Sequence, residues 1–177
     1  ARAGLFNIRR ELWEGGPKRP GGTVFDGVLV DAPCSGIGTW QRNPHARWTT
    51  TPKDVEELAV RQIDLLTAAA RGVKPGGRLV YSVCTLSRAE TTGVAAAFEK
   101  ACPDFEPLPA SLHPGPRDAA IPAHHVWLRP EHQGGNGMFV ALWRRTLRPP
   151  SSAPAPAAPA TEPLPTPTPT PTAEPAP

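Results

Sequence analysis

Cysteine is scarce in this sequence, and its three positions, Cys34, Cys84 and Cys102, form no close pair. An odd number of widely spaced cysteines argues against a disulfide framework, and no short Cys-x-x-Cys spacing indicates a zinc cluster. We therefore expect no metal, a reducing and cytoplasmic setting, and one or two thiols with a chemical role. For Cys102, at the end of a predicted helix, a structural role as a small buried apolar residue is favoured.

Long apolar runs are missing as well. No stretch approaches the roughly 20 residues that a membrane-spanning helix requires, and the first residues do not have the pattern of a signal peptide. We therefore expect no membrane partner, and we expect a monomer. Because the chain begins with Ala1 rather than Met, we also expect it to be a piece of a longer protein.

A glycine-rich loop of the kind that cradles phosphates is also not found. The glycine pairs at residues 15–16, 21–22 and 76–77 are typical of turns, and none stands between a predicted strand and a predicted helix. This absence disfavours one interpretation, a general nucleotide-binding α/β protein.

Proline, in contrast, is abundant, and ten of the 25 prolines lie in residues 151–177. These residues are otherwise mainly Ser, Ala and Thr, a composition that buries too little apolar surface to offset the entropy of ordering. We predict a disordered tail at residues 149–177 and a folded domain at residues 1–148. The tail is interpreted as a spacer, and a ligand for a proline-binding module is the alternative.

Charge is modest and positive. The whole chain has a formal net charge of +3, and the tail contains two acids and no base, so residues 1–148 carry +5. A mildly basic domain is compatible with a polyanionic partner but does not establish one.

Two apolar strands are predicted to organise the fold. The run Val28-Leu29-Val30 is typical of a strand covered on both faces in a parallel sheet, and residues 78–83 repeat the design. A helix between them has an N-cap at Thr51, proline at its first position and Asp54 three residues after the cap. It is expected to end before residues 74–77, which would turn the chain into the second strand.

The remaining elements complete an α/β pattern. Ser87 and Glu90 have the spacing of a capping box that would open a second helix. Residues 126–128 and 138–143 are predicted to form an antiparallel hairpin around a glycine-rich connection. Together these elements predict the back half of a doubly wound sheet with an antiparallel edge.

Polar and reactive residues follow each of the two strands. Asp31, Cys34 and Ser35 come after the first strand, and Cys84 comes directly after the second. If the strands are parallel neighbours, both cysteines reach the same edge of the sheet, where ligands of such folds bind. One thiol could then be a nucleophile and the other an acid or base, and two structural cysteines are the alternative.

Further candidate residues lie on either side of the first strand. Glu14 precedes a glycine turn and would stand at the carboxyl end of another strand, beside Asp31. Residues 39–50 are predicted to form a polar loop that contains Arg42 and Arg47 together with two tryptophans. Bases interleaved with aromatic rings suit an RNA backbone and an unstacked base, although the tryptophans could instead simply hold the loop against the domain.

Two segments resemble known motifs. Residues 31–38 read DAPCSGIG, followed by RNP at 42–44, and residues 81–86 read YSVCTL. They resemble the fourth and sixth motifs of the RNA cytosine-5-methyltransferases of the Sun/Fmu and nucleolar-protein family, over about residues 1–145. The resemblance implies a class I, Rossmann-like methyltransferase fold, S-adenosylmethionine as cofactor, and cytosine in rRNA or tRNA as acceptor.

The resemblance also implies roles for individual residues. Cys84 would be the nucleophile, and Cys34 would assist its release, although DNA enzymes with the same reaction reverse these two roles. Asp31 and Glu14 would contact the cofactor, and Asp31 would also face the cytosine.

Substrate contacts are expected from Asp31 and from four further residues of the fourth motif and the loop after it: Pro33, Ser35, Arg42 and Arg47. Val83 and Thr85 replace the Thr and Ser that commonly flank the family's catalytic cysteine, and His45 replaces a common Asp. These departures are expected to affect contacts with RNA more than the chemistry. The alternative interpretation is a non-catalytic RNA-binding fragment of such an enzyme.

The family's glycine-rich cofactor loop has no counterpart in residues 1–177. We therefore expect the 177-residue chain alone to be inactive and to bind S-adenosylmethionine very weakly or not at all. Isothermal titration calorimetry tests this expectation, and a clear binding isotherm would contradict it.

Overall fold

The computed structural model describes residues 8–9, 11–13, 23–110 and 120–147. Glu14 and the predicted tail at residues 149–177 lie outside the described residues. The strands are β1 (Phe25–Asp31), β2 (Val73–Val83), β3 (Phe105–Pro107), β4 (His125–Leu128) and β5 (Met138–Arg145), and the helices are α1 (Ala46–Thr49), α2 (Pro52–Ala70), α3 (Thr92–Ala101) and α4 (Pro130–Gln133). None of the described helices has the length and apolar character needed to cross a membrane.

The five strands form one mixed sheet. Its strand order is β1-β2-β5-β3, and β4 also pairs with β5. β1 and β2 are parallel, whereas β5 runs antiparallel to β2, β3 and β4. The α/β class and the antiparallel pairing of the last two strands are therefore confirmed. The inner strand of the hairpin, β5, pairs with β2 on one side and with the short strands β3 and β4 on the other.

β1 differs from the prediction of a strand covered on both faces. Val30 is buried, but Leu29 is 67 % exposed. Within the described residues β1 pairs only with β2, so one of its long sides has no neighbouring strand. The apolar run predicted a strand correctly, but apolarity alone did not predict how much of that strand the described residues cover.

Helix α2 begins as its sequence predicts. The Thr51 side chain accepts a hydrogen bond from the Asp54 backbone N–H, and the Asp54 side chain accepts one from the Thr51 backbone, which satisfies N–H groups that the helix leaves unpaired. Its fully buried Leu66 joins the core that surrounds Tyr81, Phe98 and Trp143. The strand that follows begins earlier than predicted, at Val73, and residues 74–77 form an irregular part of β2 rather than a separate turn.

Helix α3 begins later than predicted. It starts at Thr92, and the predicted capping box of Ser87 and Glu90 does not cap it. The Thr91 hydroxyl instead donates to the Ser87 carbonyl at 2.7 Å, while the Glu90 side chain is fully buried. A spacing that usually marks a helix start therefore serves here to place a carboxylate inside the protein.

Two glycines bring three backbone segments together. The Gly38 N–H donates to the Cys84 carbonyl at 3.1 Å, and the Gly137 N–H donates to the Gly38 carbonyl at 2.8 Å. A Cβ on Gly38 would lie 2.1 Å from the Gly137 carbonyl oxygen, a distance that no side chain can tolerate. The loop after β1, the end of β2 and the connection before β5 are thereby held in direct contact.

Candidate active site

The two predicted cysteines meet at one edge of the sheet. In the parallel pairing of β1 and β2, Asp31 lies opposite Ser82, and the Ala32 N–H continues the ladder to the Ser82 carbonyl at 3.1 Å. Both strands therefore end together, and the next residues bring the sulfurs of Cys34 and Cys84 to 3.4 Å from each other. The predicted meeting of the two thiols is confirmed.

The two sulfurs lie in a partly buried environment, which changes the acidity of Cys34. Both cysteines are free and half-buried. Burial, reinforced by the hydrogen bond with Cys84, raises the pKa of the Cys34 thiol to about 12. Cys34 therefore keeps its proton at neutral pH, and its S–H can donate to the Cys84 sulfur.

A buried carboxylate, that of Glu90, fastens the two cysteine loops to each other. Its Oε1 accepts from the Ser35 backbone N–H at 2.8 Å, and its Oε2 accepts from the Ser35 hydroxyl at 2.5 Å. Oε2 also accepts from the Thr85 hydroxyl at 3.0 Å. Ser35 follows Cys34 and Thr85 follows Cys84, so one side chain holds the neighbours of both thiols.

A second layer supports the carboxylate. The Gln62 amide of α2 donates to Glu90 Oε1 at 3.1 Å and to the Pro33 carbonyl at 2.9 Å. The Tyr81 hydroxyl lies 2.9 Å from Gln62 Oε1 and 2.7 Å from the Glu90 carbonyl. Burial, together with the negative charge of Glu90, raises the pKa of the Tyr81 phenol, so this group stays a neutral donor. Every polar group named here is paired, as burial requires.

Sequence reasoning missed Glu90 and Gln62 as site residues. The Ser-x-x-Glu spacing of Ser87 and Glu90 pointed to a helix cap. Gln62 falls on the apolar side of α2, and a polar residue on that side indicates a buried hydrogen-bonding role. A buried amide on the core side of a helix needs a partner, and that requirement could have identified it.

The predicted substrate contacts are spread over the rim. Asp31 and Pro33 are exposed and line an open cleft of about 440 Å³ between β1 and α2. The Ser35 side chain is occupied by Glu90, so it positions the loop in this structure. Arg42 is exposed, and its Nε donates to Asn136 Oδ1 at 2.9 Å.

The loop that carries the two predicted tryptophans exposes one of them. Trp48 is 80 % exposed, and the Arg47 guanidinium lies 5.7 Å from the centre of its ring. Trp48 therefore does not hold the loop against the domain, which was the alternative interpretation. Trp40 is half-buried, with a buried indole nitrogen that has no hydrogen-bond partner.

A separate group of possible metal ligands, Glu99, His124 and His125, lies among the aromatic residues near β5. The Glu99 carboxylate is hydrogen-bonded to the His124 ring at 2.8 Å and accepts from the Trp143 indole N–H at 3.0 Å. Burial lowers the pKa of His125 to about 4. The ligand atoms of the three side chains all lie within 4.8 Å of one another. The expected absence of a metal stays a prediction.

Replacement of Glu90 by Gln should loosen both cysteine loops. The variant removes the negative charge that strengthens four hydrogen bonds, so we expect the free energy of unfolding to fall by about 1–3 kcal/mol. Urea denaturation measures this loss, and faster alkylation of Cys34 and Cys84 would report the loosened loops. Glu56→Gln, an exposed site on α2, is the matched control. Equal stability and thiol reactivity in both variants would contradict the role given to Glu90.

The raised pKa of Cys34 predicts an unusual alkylation profile. In the folded chain the rate at Cys34 should still be rising with pH at pH 10, because the thiolate forms only near pH 12. In urea the alkylation rate of the same cysteine should stop rising once the pH exceeds its ordinary pKa of 9.0. Iodoacetamide labelling read by peptide mass spectrometry separates the three cysteines. A plateau below pH 9 in the folded state would contradict the assignment.

Comparison with known proteins identifies the family. Residues 10–144 match the model described as 16S rRNA methyltransferase RsmB/F. The "Probable ribosomal RNA small subunit methyltransferase B" of Bacillus subtilis is 40 % identical over 128 residues, which cover 68 % of this chain and 28 % of the relative. The "Ribosomal RNA small subunit methyltransferase F" of Escherichia coli is 35 % identical over 152 residues, 82 % of this chain and 31 % of the relative. The chain therefore spans less than a third of the length of these curated relatives.

Solved structures agree with this result. The structure of NSun6 from Pyrococcus horikoshii with SFG has a TM-score of 0.70 and 27 % identity, and the match covers 84 % of this chain and 37 % of that one. The likeness confirms the predicted class I, Rossmann-like methyltransferase fold. Methyltransferases of this family use S-adenosylmethionine, of which SFG is an analogue. The chain, with its paired thiols at the carboxyl edge of two parallel strands, belongs to the 16S rRNA methyltransferase RsmB/F family.

Proposed function

We propose that this chain forms the acceptor side of the active site of an RNA cytosine-5-methyltransferase that acts on rRNA or tRNA. The observation that carries the proposal is the 3.4 Å separation of the Cys34 and Cys84 sulfurs at the edge where ligands of α/β sheets bind. A single pyrimidine ring can contact two groups so close together. Membership in a family of rRNA methyltransferases supports RNA as the substrate.

A thiol is needed because carbon 5 of cytosine is a poor nucleophile. The Cys84 thiolate adds to carbon 6, and the ring electrons move so that carbon 5 becomes enamine-like. Carbon 5 could then accept an electrophilic methyl group from a bound methyl donor. Transfer of the carbon 5 proton to solvent water restores the ring double bond and expels the Cys84 thiolate.

Cys34 is assigned to the release step. Its raised pKa keeps it protonated, and its S–H lies within reach of the sulfur that departs. A hydrogen bond from Cys34 stabilises the negative charge that returns to Cys84 as the carbon–sulfur bond breaks. The resemblance of residues 81–86 to the sixth motif of the family assigns the nucleophilic attack to Cys84.

The described residues fit part of a cofactor site. Asp31 is an exposed carboxylate at the carboxyl end of β1, and with Pro33 it borders the cleft between β1 and α2. It can accept hydrogen bonds from the cofactor on one side and the cytosine amino group on the other. S-adenosylmethionine, when bound, supplies the electrophilic methyl group. Glu14 keeps its proposed role as a further cofactor contact.

Charge and stacking surface support the RNA partner. Arg42 and Arg47 can contact phosphates, and the exposed Trp48 ring offers a face to an unstacked base. The reaction needs both thiols reduced, so we place the protein in the reducing cytoplasm.

Covalent trapping tests the assignment of the two cysteines. The whole protein that carries residues 1–177 is incubated with S-adenosylmethionine and RNA containing 5-fluorocytosine, whose fluorine blocks the loss that would release the enzyme. We expect a denaturation-resistant adduct that disappears in Cys84→Ala and persists or increases in Cys34→Ala. Electrophoresis of labelled RNA measures the adduct.

Cys102→Ala is the matched control, because this cysteine is buried at the end of α3 and should not affect adduct formation. Loss of the adduct in Cys34→Ala with retention in Cys84→Ala would reverse the two roles. No adduct with any variant, together with intact RNA binding, would instead favour a non-catalytic RNA-binding fragment.

A further inference from the structure

A second groove opens beside the segment that follows Cys84. It has a cavity volume of about 540 Å³ and lies where the loop after β2, the start of α3 and strand β4 come together. Its lining residues are Leu86, Arg88, Thr92, Ile121, Trp127 and Arg129. Leu86 ends the YSVCTL motif, the other five lie outside the quoted motifs, and none of the six is assigned a part in the thiol chemistry.

Among the described lining residues, two are positively charged and none is negatively charged. Arg88 and Arg129 are both exposed. The Arg129 guanidinium lies 5.4 Å from the centre of the Trp127 ring, and its Nη1 is 3.7 Å from an exposed Glu131 carboxylate outside the lining. An exposed ion pair of that length contributes little to stability.

The rest of the lining is largely apolar. Leu86, Ile121 and Trp127 are half-buried, and the Trp127 ring is fixed by packing against Phe139 at 4.8 Å between ring centres. Two cations above an apolar floor match the parts of a nucleotide, whose phosphate is anionic and whose sugar and base have less polar faces.

The sheet register places this groove close to the thiols. Val83, which precedes Cys84, pairs with Phe139, and Phe139 pairs with Trp127 on the next strand. Trp127 is thus two strand spacings, about 10 Å, from the residue next to the proposed nucleophile. RNA whose target cytosine reaches Cys84 would have its adjoining nucleotides within range of the groove.

We propose that this groove binds the phosphate and sugar of a nucleotide that adjoins the target cytosine in single-stranded RNA. The inference rests on the proposed function and adds a substrate subsite to it. Arg88 and Arg129 contact the phosphate through charge-assisted hydrogen bonds, and Leu86, Ile121 and Trp127 pack against the sugar and base.

Equilibrium binding tests the subsite without any chemistry. In a Cys84→Ala background, fluorescence anisotropy with a labelled, unstructured, cytosine-containing RNA gives the affinity at several salt concentrations. Arg88→Ala and Arg129→Ala should each weaken binding about tenfold and reduce the slope of log affinity against log salt by about 0.7. Arg61→Ala, an exposed arginine of α2 outside the groove, is the matched control and should leave both quantities unchanged.

Arg88→Lys and Arg129→Lys distinguish phosphate binding from a structural effect. Each retains the charge, so the salt slope should return to that of the parent chain. Slopes that stay unchanged in the alanine variants, or a loss of affinity equal to that of Arg61→Ala, would overturn the proposal. If the arginine variants weaken RNA binding as expected but Cys84 forms no adduct with 5-fluorocytosine, only the methyltransferase chemistry is contradicted. If Cys84 forms the adduct but the arginine variants bind RNA normally, only the groove proposal is contradicted.

Discussion

The arrangement of the site depends on one buried carboxylate. Two parallel strands can deliver two loops to the same edge of a sheet, but the strands end before the cysteines and cannot fix the loops by themselves. Glu90 accepts hydrogen bonds from the residues that follow each cysteine, and Gln62 connects the same carboxylate to the Pro33 carbonyl. A fully buried charge is costly unless several donors satisfy it, and here the donors are the loops themselves. The hydrogen bonds that allow Glu90 to be buried are therefore the same ones that order the two cysteine loops.

Much of this structure could be predicted from local chemistry. The Thr51 cap and the start of α2 depend on residues three positions apart, and such short-range patterns are read directly from the sequence. The meeting of Cys34 and Cys84 required only that two apolar strands be parallel neighbours joined by one helix. The motifs around the cysteines then led to a family that the comparisons confirm.

The remainder could not be predicted because it depends on contacts between distant segments. The Ser87 and Glu90 spacing is compatible with a cap and equally with a carboxylate turned inward. Hydrogen bonds from Ser35 and Gln62, which are far away in sequence, favour the inward position. The place of β5 inside the sheet depends on the pairing of segments about 60 residues apart, for which the alternation of apolar residues gives no partner. Leu29 is apolar but exposed among the described residues. An apolar sequence predicts that a strand can be buried, but it does not predict which segments cover it.

The contact between Gly38 and Gly137 joins two backbone segments that are about a hundred residues apart in the sequence. Asn136, the neighbour of Gly137, accepts the hydrogen bond from Arg42, so the connection before β5 holds both the turn after Cys34 and the first arginine of the polar loop. Any lengthening of that connection would shift the thiol and the arginine together rather than separately. The length of this short connection is therefore constrained by the loop that carries Cys34.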